Sequence, residues 1–479
     1  MEIKLYDTMS RKMKSVAPSD GKIFRFYCCG PTVYGPSHIG NFRAFLLQDV
    51  LRRLLEVSGL KTYHIRNITD VDDKTIRQSQ SEGKSLKEVT EKWTDLFHND
   101  CKELNMLPPH KEPRASGHIP QQIELVRTLL DKGHAYQASD GSVYFKISTF
   151  PDYGKLTHLD RVELKTQSET SGDTHNLADE YERETVADFS LWKARKENDG
   201  DNYWASPWGE GRPGWHLECS AMSMEYLGES FDLHGGGIDI CFPHHENEIA
   251  QSESATGNKP FSRHWFHNAH LMVEGKKMSK SLGNLYTLEE IKNRGETAMA
   301  LRYLLISGHY RQPLNFTFNG IEAARSAINK LEKSISELLH NAKMNKDDFI
   351  QLQLKTETED WGHFEKAWEA LVNDLNTPAC LGNLFSALNK IDSANLKEKE
   401  TSLILNALAR LTYTLGLELF CGEKDALVVA PGAIRKLADE RWVAKQDKDF
   451  TKADELRERI QTEGWQVHDR KDTYDLEPV

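Results

Sequence analysis

Lys22 to Cys28 reads Lys-Ile-Phe-Arg-Phe-Tyr-Cys, an apolar and aromatic run that Gly30-Pro31 cannot extend; it predicts a strand ending in a turn. From Ile39 to Leu55 the residues Ile39, Phe42, Phe45, Leu46, Val50, Leu51, Leu54 and Leu55 recur at helical spacing, and Ser58-Gly59 follows. That pattern predicts a helix and its end. Lys61 to Ile65 predicts a second strand. Strand, turn, helix and strand in this order make a βαβ unit, whose right-handed crossover leaves the two strands parallel. The N-terminal part is therefore expected to be α/β.

Further along, Gln121 to Lys132 predicts a helix, and Ser139-Asp140-Gly141 predicts a hairpin turn with Val143-Tyr144-Phe145 as one arm. Residues 160–188 hold nine acidic and three basic residues, the composition of a solvated, loop-like insertion. Beyond Thr297 long helical stretches follow, among them Ile321 to Leu339 and Phe364 to Leu375, without strand-like alternation. An all-helical domain is expected there. Ala426 to Pro431 reads as a linker, and the tail as two short helices split near Asp447 with a strand at Trp465-Gln466-Val467. No internal repeat is visible.

Composition bounds this picture. A chain of 479 residues corresponds to roughly three domains of about 150 residues each. The formal charge of −12 argues against coating nucleic acid by bulk positive charge, although segment 160–188 alone supplies half of it and a local basic groove is not excluded. Seven cysteines are too few and too irregular for a disulfide scaffold. With no apolar leader and no long apolar run, a cytoplasmic protein without membrane contact is expected.

Three constellations can carry chemistry. The first is Pro31-Thr32-Val33-Tyr34-Gly35-Pro36-Ser37-His38-Ile39-Gly40-Asn41, at the junction of the first strand and its helix. There a helix N-terminus offers free amides to an anion. His38 and Asn41 add side-chain donors, and Gly40 lets a flat ring approach the backbone. The second is Gly275-Lys-Lys-Met-Ser-Lys-Ser-Leu-Gly283, a glycine-bracketed loop. Its Lys277 and Lys280 are placed to neutralise charge growing on a polyphosphate leaving group.

The third concerns a metal. His244 and Glu248, at i and i+4 of an expected helix, share one face and would make half of a zinc site. Thiolates would come from Cys28-Cys29-Gly30 and from Cys219. Two thiolates, an imidazole and a carboxylate suit Zn²⁺ and leave it able to take an added soft ligand.

The first two motifs, in this order and some 240 residues apart, resemble the paired signatures of class I aminoacyl-tRNA synthetases. Four further segments narrow the resemblance to the cysteinyl-tRNA synthetase family: Phe26-Tyr-Cys-Cys-Gly-Pro-Thr-Val-Tyr34, Asn67-Ile-Thr-Asp-Val-Asp-Asp-Lys74, Gly211 to Met222 and His234 to Gln251.

That resemblance implies a Rossmann-type parallel-sheet catalytic domain at 1–115 and 215–296, with its lysine loop at 277–281 and a connective insertion at 116–214. An all-α anticodon-binding domain at 297–425 and a small C-terminal domain at 426–479 would follow. It implies one zinc per subunit on Cys29, Cys219, His244 and Glu248, with Cys28, Cys241 and His245 outside the coordinating set. Thr69, Trp215 and His234 would line a cysteine pocket. Thr32, His38, Gly40, Asn41, Gly236, Asp239 and Lys280 would meet ATP, accompanied by Mg²⁺. The catalytic groups would be His38, Asn41, Lys277 and Lys280, the partners L-cysteine, ATP and tRNA(Cys), and the enzyme a monomer without an editing domain.

One position departs from the family pattern. Where the signature usually has a second histidine, this chain has Asn41, an uncharged and shorter donor. Two rival readings carry other functions: a shorter ligase that passes cysteine to an amino sugar in mycothiol biosynthesis, and a non-catalytic RNA-binding paralogue.

Overall fold

The computed structural model describes residues 1–158, 188–279, 282–354, 360–420, 432–446, 449–469 and 474–478. They belong to two compact units, Met1–Glu418 and Leu419–Val479. The first unit opens with an antiparallel hairpin, β1 (Lys4–Asp7) and β2 (Lys12–Ser15). In β3 (Ile23–Cys28) Phe24 and all of Phe26, Tyr27 and Cys28 are buried, as suits an inner strand of a parallel sheet covered on both faces. Helix α1 (Ile39–Val57) buries the apolar stripe read from the sequence. It ends at Ser58, with Gly59 next at φ 85°. Strand β4 (Lys61–Arg66) then pairs with β3 in parallel, which completes the expected βαβ unit.

Helices α2 (Asp73–Glu82), α3 (Leu86–Glu103) and α4 (Ile119–Asp131) follow. Next come β5 (Ala135–Gln137), β6 (Val143–Phe145), β7 (Phe189–Ala194), β8 (Trp204–Ser206) and β9 (Gly209–Pro213), an antiparallel sheet in the order β5-β6-β7-β9-β8. The expected hairpin is its β5-β6 edge. The expected acidic insertion, apart from Asp188, lies outside the described residues. The chain then returns through α5 (Trp215–Leu227), β10 (Leu233–Gly237), α6 (Glu246–Thr256) and β11 (Trp265–Asn268). The central sheet is thereby parallel, in the order β11-β10-β3-β4. One buried cluster joins Tyr27 and Ile65 of this sheet to Phe145, Phe189 and Trp192 of the antiparallel one, so the two sheets share a core.

A small sheet, β13-β12-β14, is built from β12 (Leu271–Val273), β13 (Lys276–Lys277) and β14 (Leu314–Phe316). Strand β14 corrects the expectation of purely helical structure beyond Thr297. Its three residues pair in parallel with β12, a tertiary partner 43 positions upstream that local alternation cannot reveal. Otherwise that part of the unit is helical: α7 (Leu288–Lys292) and α8 (Ala298–Ile306) precede β14. After it come α9 (Phe318–Asn341), α10 (Lys346–Gln353), α11 (Glu365–Val372), α12 (Thr377–Leu388) and α13 (Glu398–Thr414). In the second unit α14 (Gly432–Gln446), α15 (Phe450–Thr462) and the hairpin β15 (Trp465–Asp469) and β16 (Tyr474–Pro478) bury Ile434, Ala438, Ile460, Trp465 and Val467 together. The expected linker and the 425/426 boundary lie outside the described residues.

Asp100 on α3 is a local weak point. Burial lifts its carboxyl to about 6, with Glu103 and Glu289 adding to the shift and Lys292 opposing it. The folded protein thus holds this proton to higher pH than the unfolded chain, whose Asp titrates near 3.9. Stability attributable to this group falls as pH rises through roughly 4 to 6. Asp100→Asn should therefore raise stability by about 1 to 2 kcal/mol at neutral pH, with no gain below pH ~4. Urea midpoints of both proteins at the two pH values check this, and an equal difference at both would refute it.

Candidate active site and metal centre

At the carboxyl end of β3 the chain turns at Cys29-Gly30. Gly30 is required by a close approach: a Cβ there would lie 1.7 Å from the Asn67 carbonyl oxygen. The Gly30 N–H donates to the Asn67 side chain at 2.9 Å. Beyond the turn, Thr32 bridges Thr69, and the Val33 N–H donates to the Thr69 carbonyl at 3.1 Å. Thr69 is buried, and its hydroxyl donates to the carboxylate of buried Glu218.

His38 is the N-cap of α1 and forms a capping box with Asn41. The Asn41 N–H donates to His38 Nδ1 at 3.3 Å, and the His38 N–H donates to Asn41 Oδ1 at 3.1 Å. A residue read in sequence as a ligand donor thus also serves the helix end. With Oδ1 so engaged, the donor Asn41 has to offer a ligand is Nδ2.

The lysine loop comes to the same place. A Cβ on Gly40 would lie 3.1 Å from Met278 Sδ. The Ile39 N–H donates to the Tyr286 carbonyl at 2.8 Å, and His38 bridges Thr287. Asn284, which the sequence reading passed over, pins the loop from both sides. Its Oδ1 accepts from the Ser279 N–H at 2.8 Å, and its Nδ2 donates to the Lys277 carbonyl at 3.1 Å. Lys277 is exposed on β13. Lys280 lies outside the described residues.

Strand β10 carries His234 and the glycines and leads into a short turn, Ile238–Ile240, that exposes Asp239. Gly236 is buried.

Behind this face, four elements converge on one cluster. The ligating atoms of Cys29, Cys219, His244 and Glu248 all lie within 4.8 Å of one another. Cys29 Sγ is 4.0 Å from Cys219 Sγ and 4.0 Å from Glu248 Oε1, and His244 Nε2 is 3.0 Å from Glu248 Oε1. Ligands at roughly 2.0–2.3 Å from a tetrahedral Zn²⁺ stand about 3.3–3.8 Å apart, so the spacing and the donor chemistry fit that ion. A second set, Cys29, His234, His245 and Glu248, converges as closely. His245, expected outside the coordinating set, has Nε2 3.3 Å from Cys29 Sγ. Trp215, half-buried at the start of α5, lies with its ring centroid 4.2 Å from that of His244. His234 Nε2 is 2.9 Å from Glu248 Oε2.

Without a cation the electrostatics are those of two un-ionised thiols beside an ion pair. Burial pushes the Cys29 thiol up to about 12 and the Cys219 thiol well above its usual value. Burial would also raise Glu248, but His234 and His244 hold it at about 2. His244, which burial alone would lower, is held at about 10 by Glu248 and Cys219. His245 is driven well below the ordinary imidazole range by burial and by its histidine neighbours. These histidines, His216 and His267 included, come from α5, β10, the turn before α6 and β11. His216 Nδ1 stands 2.8 Å from His244 Nδ1, and His245 Nδ1 stands 2.8 Å from His267 Nε2. In the sequence His244 reads as a ligand, and the family resemblance sets His245 outside the coordinating set and His234 in the cysteine pocket, whereas His216 and His267 are given no role.

Residues 15–326 match the family described as tRNA synthetases class I (C) catalytic domain. A cysteine-tRNA ligase of Opitutus terrae is 48% identical over 100% of both chains, and one of Chlamydia caviae is 42% identical over 98% of this chain and 96% of its own. Among solved structures, Mycobacterium tuberculosis methionyl-tRNA synthetase in complex with methionyl-adenylate superposes with a TM-score of 0.57 at 14% identity, covering 82% of this chain and 89% of that one. That likeness is one of fold, and it accords with the expected class I architecture. With its parallel sheet, its two signature segments in contact and relatives aligned end to end, the chain belongs to the cysteine-tRNA ligase family of class I aminoacyl-tRNA synthetases.

Proposed function

We propose that the chain activates L-cysteine with ATP on the face formed by Thr69, Trp215 and His234, and passes it to the 3′ end of tRNA(Cys). In the first step a cysteine carboxylate oxygen bonds to the α-phosphorus of ATP as the bond to the β-phosphate bridging oxygen breaks. Cysteinyl-adenylate forms and pyrophosphate leaves. Such a reaction needs positioning and charge neutralisation rather than a covalent enzyme intermediate. His38 and Asn41 Nδ2 would donate to the phosphate oxygens from the start of α1, where the helix dipole also favours an anion. Lys277 and Lys280 would neutralise the leaving pyrophosphate, whose Mg²⁺ is shared with ATP rather than caged by protein. Thr32, Gly40 and Gly236 would let adenosine lie against the backbone, and Asp239 would accept from the ribose hydroxyls. In the second step a terminal ribose hydroxyl of the tRNA attacks the adenylate carbonyl and AMP departs.

What supports this reading above all is the convergence of Cys29, Cys219, His244 and Glu248 beside Trp215 and Thr69. Held there, Zn²⁺ would bind the substrate as a thiolate and discriminate against serine, whose hydroxyl is a harder and far less acidic ligand. That difference is one that contacts alone distinguish poorly. Cysteine-dependent exchange of pyrophosphate into ATP should be readily measured and should exceed serine-dependent exchange by at least a hundredfold. Comparable rates with the two amino acids would refute the reading.

The domain boundaries set out from sequence, one zinc per subunit, a monomeric state and a cytoplasmic location belong to the same proposal. Among the described residues no helix is long and apolar enough to cross a membrane. The mycothiol-type ligase is disfavoured because the relatives align over 98 to 100% of this chain.

Asn41 carries its own test. Asn41→Ala loses both the donor and the capping-box acceptor, whereas Asn41→Asp keeps an acceptor for the His38 N–H, loses the donor and adds a negative charge beside the phosphates. Both should slow exchange by about 100-fold or more, the range for a lost oxyanion donor. An Asn41→Asp enzyme with the wild-type rate would reduce the role of Asn41 to capping.

A further inference from the structure

A cavity of about 490 Å³ opens at the carboxyl ends of β10 and β11, where Ile238 follows one strand and Ala269 the other. Strand carboxyl ends are where open parallel sheets take their ligands, and this volume is within the range of small-ligand sites. None of the residues assigned above to ATP or to cysteine is among its described lining residues. Its walls have two characters. Ile238 is 38% exposed, and with half-buried Tyr6 and Phe242 it makes an apolar surface. Cations stand around that surface. Arg311, held by Asp374, has its guanidinium 4.6 Å from the Tyr6 ring centroid, and Arg11 projects from the turn between β1 and β2.

The backbone is strained at this place. Arg11 and His158 both line the cavity and both have left-handed φ values, 53° and 58°. Non-glycine residues hold such angles only where their surroundings impose them, and they cluster at binding sites. His158 is tied to the hairpin through the Thr8 carbonyl at 3.4 Å.

We propose that this cavity is a subsite for one unpaired nucleotide of the tRNA 3′ end, next to the terminal one that receives cysteine. The inference rests on the ligase reading above. An apolar and aromatic wall with arginines at its rim is the surface that single-stranded nucleic acid recognises: the base packs on the wall and the phosphate meets the cations. The cavity also adjoins the right chemistry. Ile238 immediately precedes Asp239, so the turn that would meet the ATP ribose on one side lines the cavity on the other. An RNA end held there would bring its terminal hydroxyl toward the adenylate.

Arg11→Glu, at an exposed turn, and Ile238→Ala test this with tRNA(Cys) of full length and with tRNA lacking its last three nucleotides. Each variant should lower kcat/KM for tRNA in cysteinylation by about tenfold, leave cysteine-dependent pyrophosphate exchange within twofold of wild type, and bind the shortened tRNA as wild type does. Normal cysteinylation by both variants would overturn the subsite while leaving the ligase reading intact. A raised KM for ATP in exchange would overturn it too, since the cavity would then take ATP. Absence of cysteine-dependent exchange in the wild-type protein would instead remove the ligase reading itself, and this inference with it.

Discussion

Cys219→Ser should lose bound zinc and at least about 100-fold in cysteine activation, while its urea midpoint stays close to that of metal-free wild type. The substitution changes one atom at a buried position 4.0 Å from Cys29 Sγ, so packing is nearly preserved. What changes is the donor: a serine hydroxyl does not ionise where a thiol bound to Zn²⁺ does. With three ligands left, Cys29, His244 and Glu248, metal affinity falls and the remaining ion loses part of its preference for a soft substrate. Metal content after dialysis reads the first effect, and the cysteine-to-serine ratio in pyrophosphate exchange reads the second. Cys28→Ser is the control. Cys28 is the last residue of β3, with its thiol packed toward Gly235, and that variant should keep its zinc. A Cys219→Ser protein with a full complement of zinc and unchanged selectivity would remove Cys219 from the site and would favour the overlapping set of Cys29, His234, His245 and Glu248.

Sequence and structure diverge in this region for definite physical reasons. The β3-α1-β4 unit was legible because its signals are local: an apolar and aromatic run to Cys28 ended by Gly30-Pro31, a 3.6-residue period from Ile39, a glycine after Ser58. Although His244 stands in the turn before α6 and reaches Glu248 from there, the two were legible as a pair through an expected helix. The thiols were not. Residue chemistry left Cys28 and Cys29 open, and only the family resemblance chose between them. The buried histidines surrounding the site come from separate elements, and the hydrogen bond from Thr69 to Glu218 spans 149 positions, so neither has a local pattern. Asn41 shows a different limit. A sequence reports a residue's donors but not which of them the backbone already uses, and the capping box with His38 emerged only from the geometry.

Asp49→Ala should destabilise the Met1–Glu418 unit by about 3 to 5 kcal/mol, the cost of leaving a buried charge uncompensated. Asp49 lies on α1, the helix that opens with His38, and is buried between two guanidinium groups. Its Oδ2 accepts from Arg53 Nε at 2.9 Å and from Arg302 Nη2 at 2.5 Å, and its Oδ1 accepts from the Leu107 N–H at 2.8 Å. Burial would raise its carboxyl, yet the two arginines hold it below the usual range. Arg302, fully buried on α8, spends its other donors on the carbonyls of Leu104, Asn105 and Leu415. Removing Asp49 therefore leaves two cations facing each other in a dry interior, with one backbone donor unsatisfied. Replacing Arg302 by Met in the same protein relieves the repulsion, so the double variant should recover 1 kcal/mol or more relative to Asp49→Ala alone. Because α1 ties the nucleotide-binding turn to α8 through this carboxylate, the single variant should also slow pyrophosphate exchange at temperatures where it remains folded. Urea denaturation of the four proteins in the cycle measures the coupling. A loss below 1 kcal/mol for Asp49→Ala, or strict additivity with Arg302→Met, would show that the trio is not what joins the signature helix to α8.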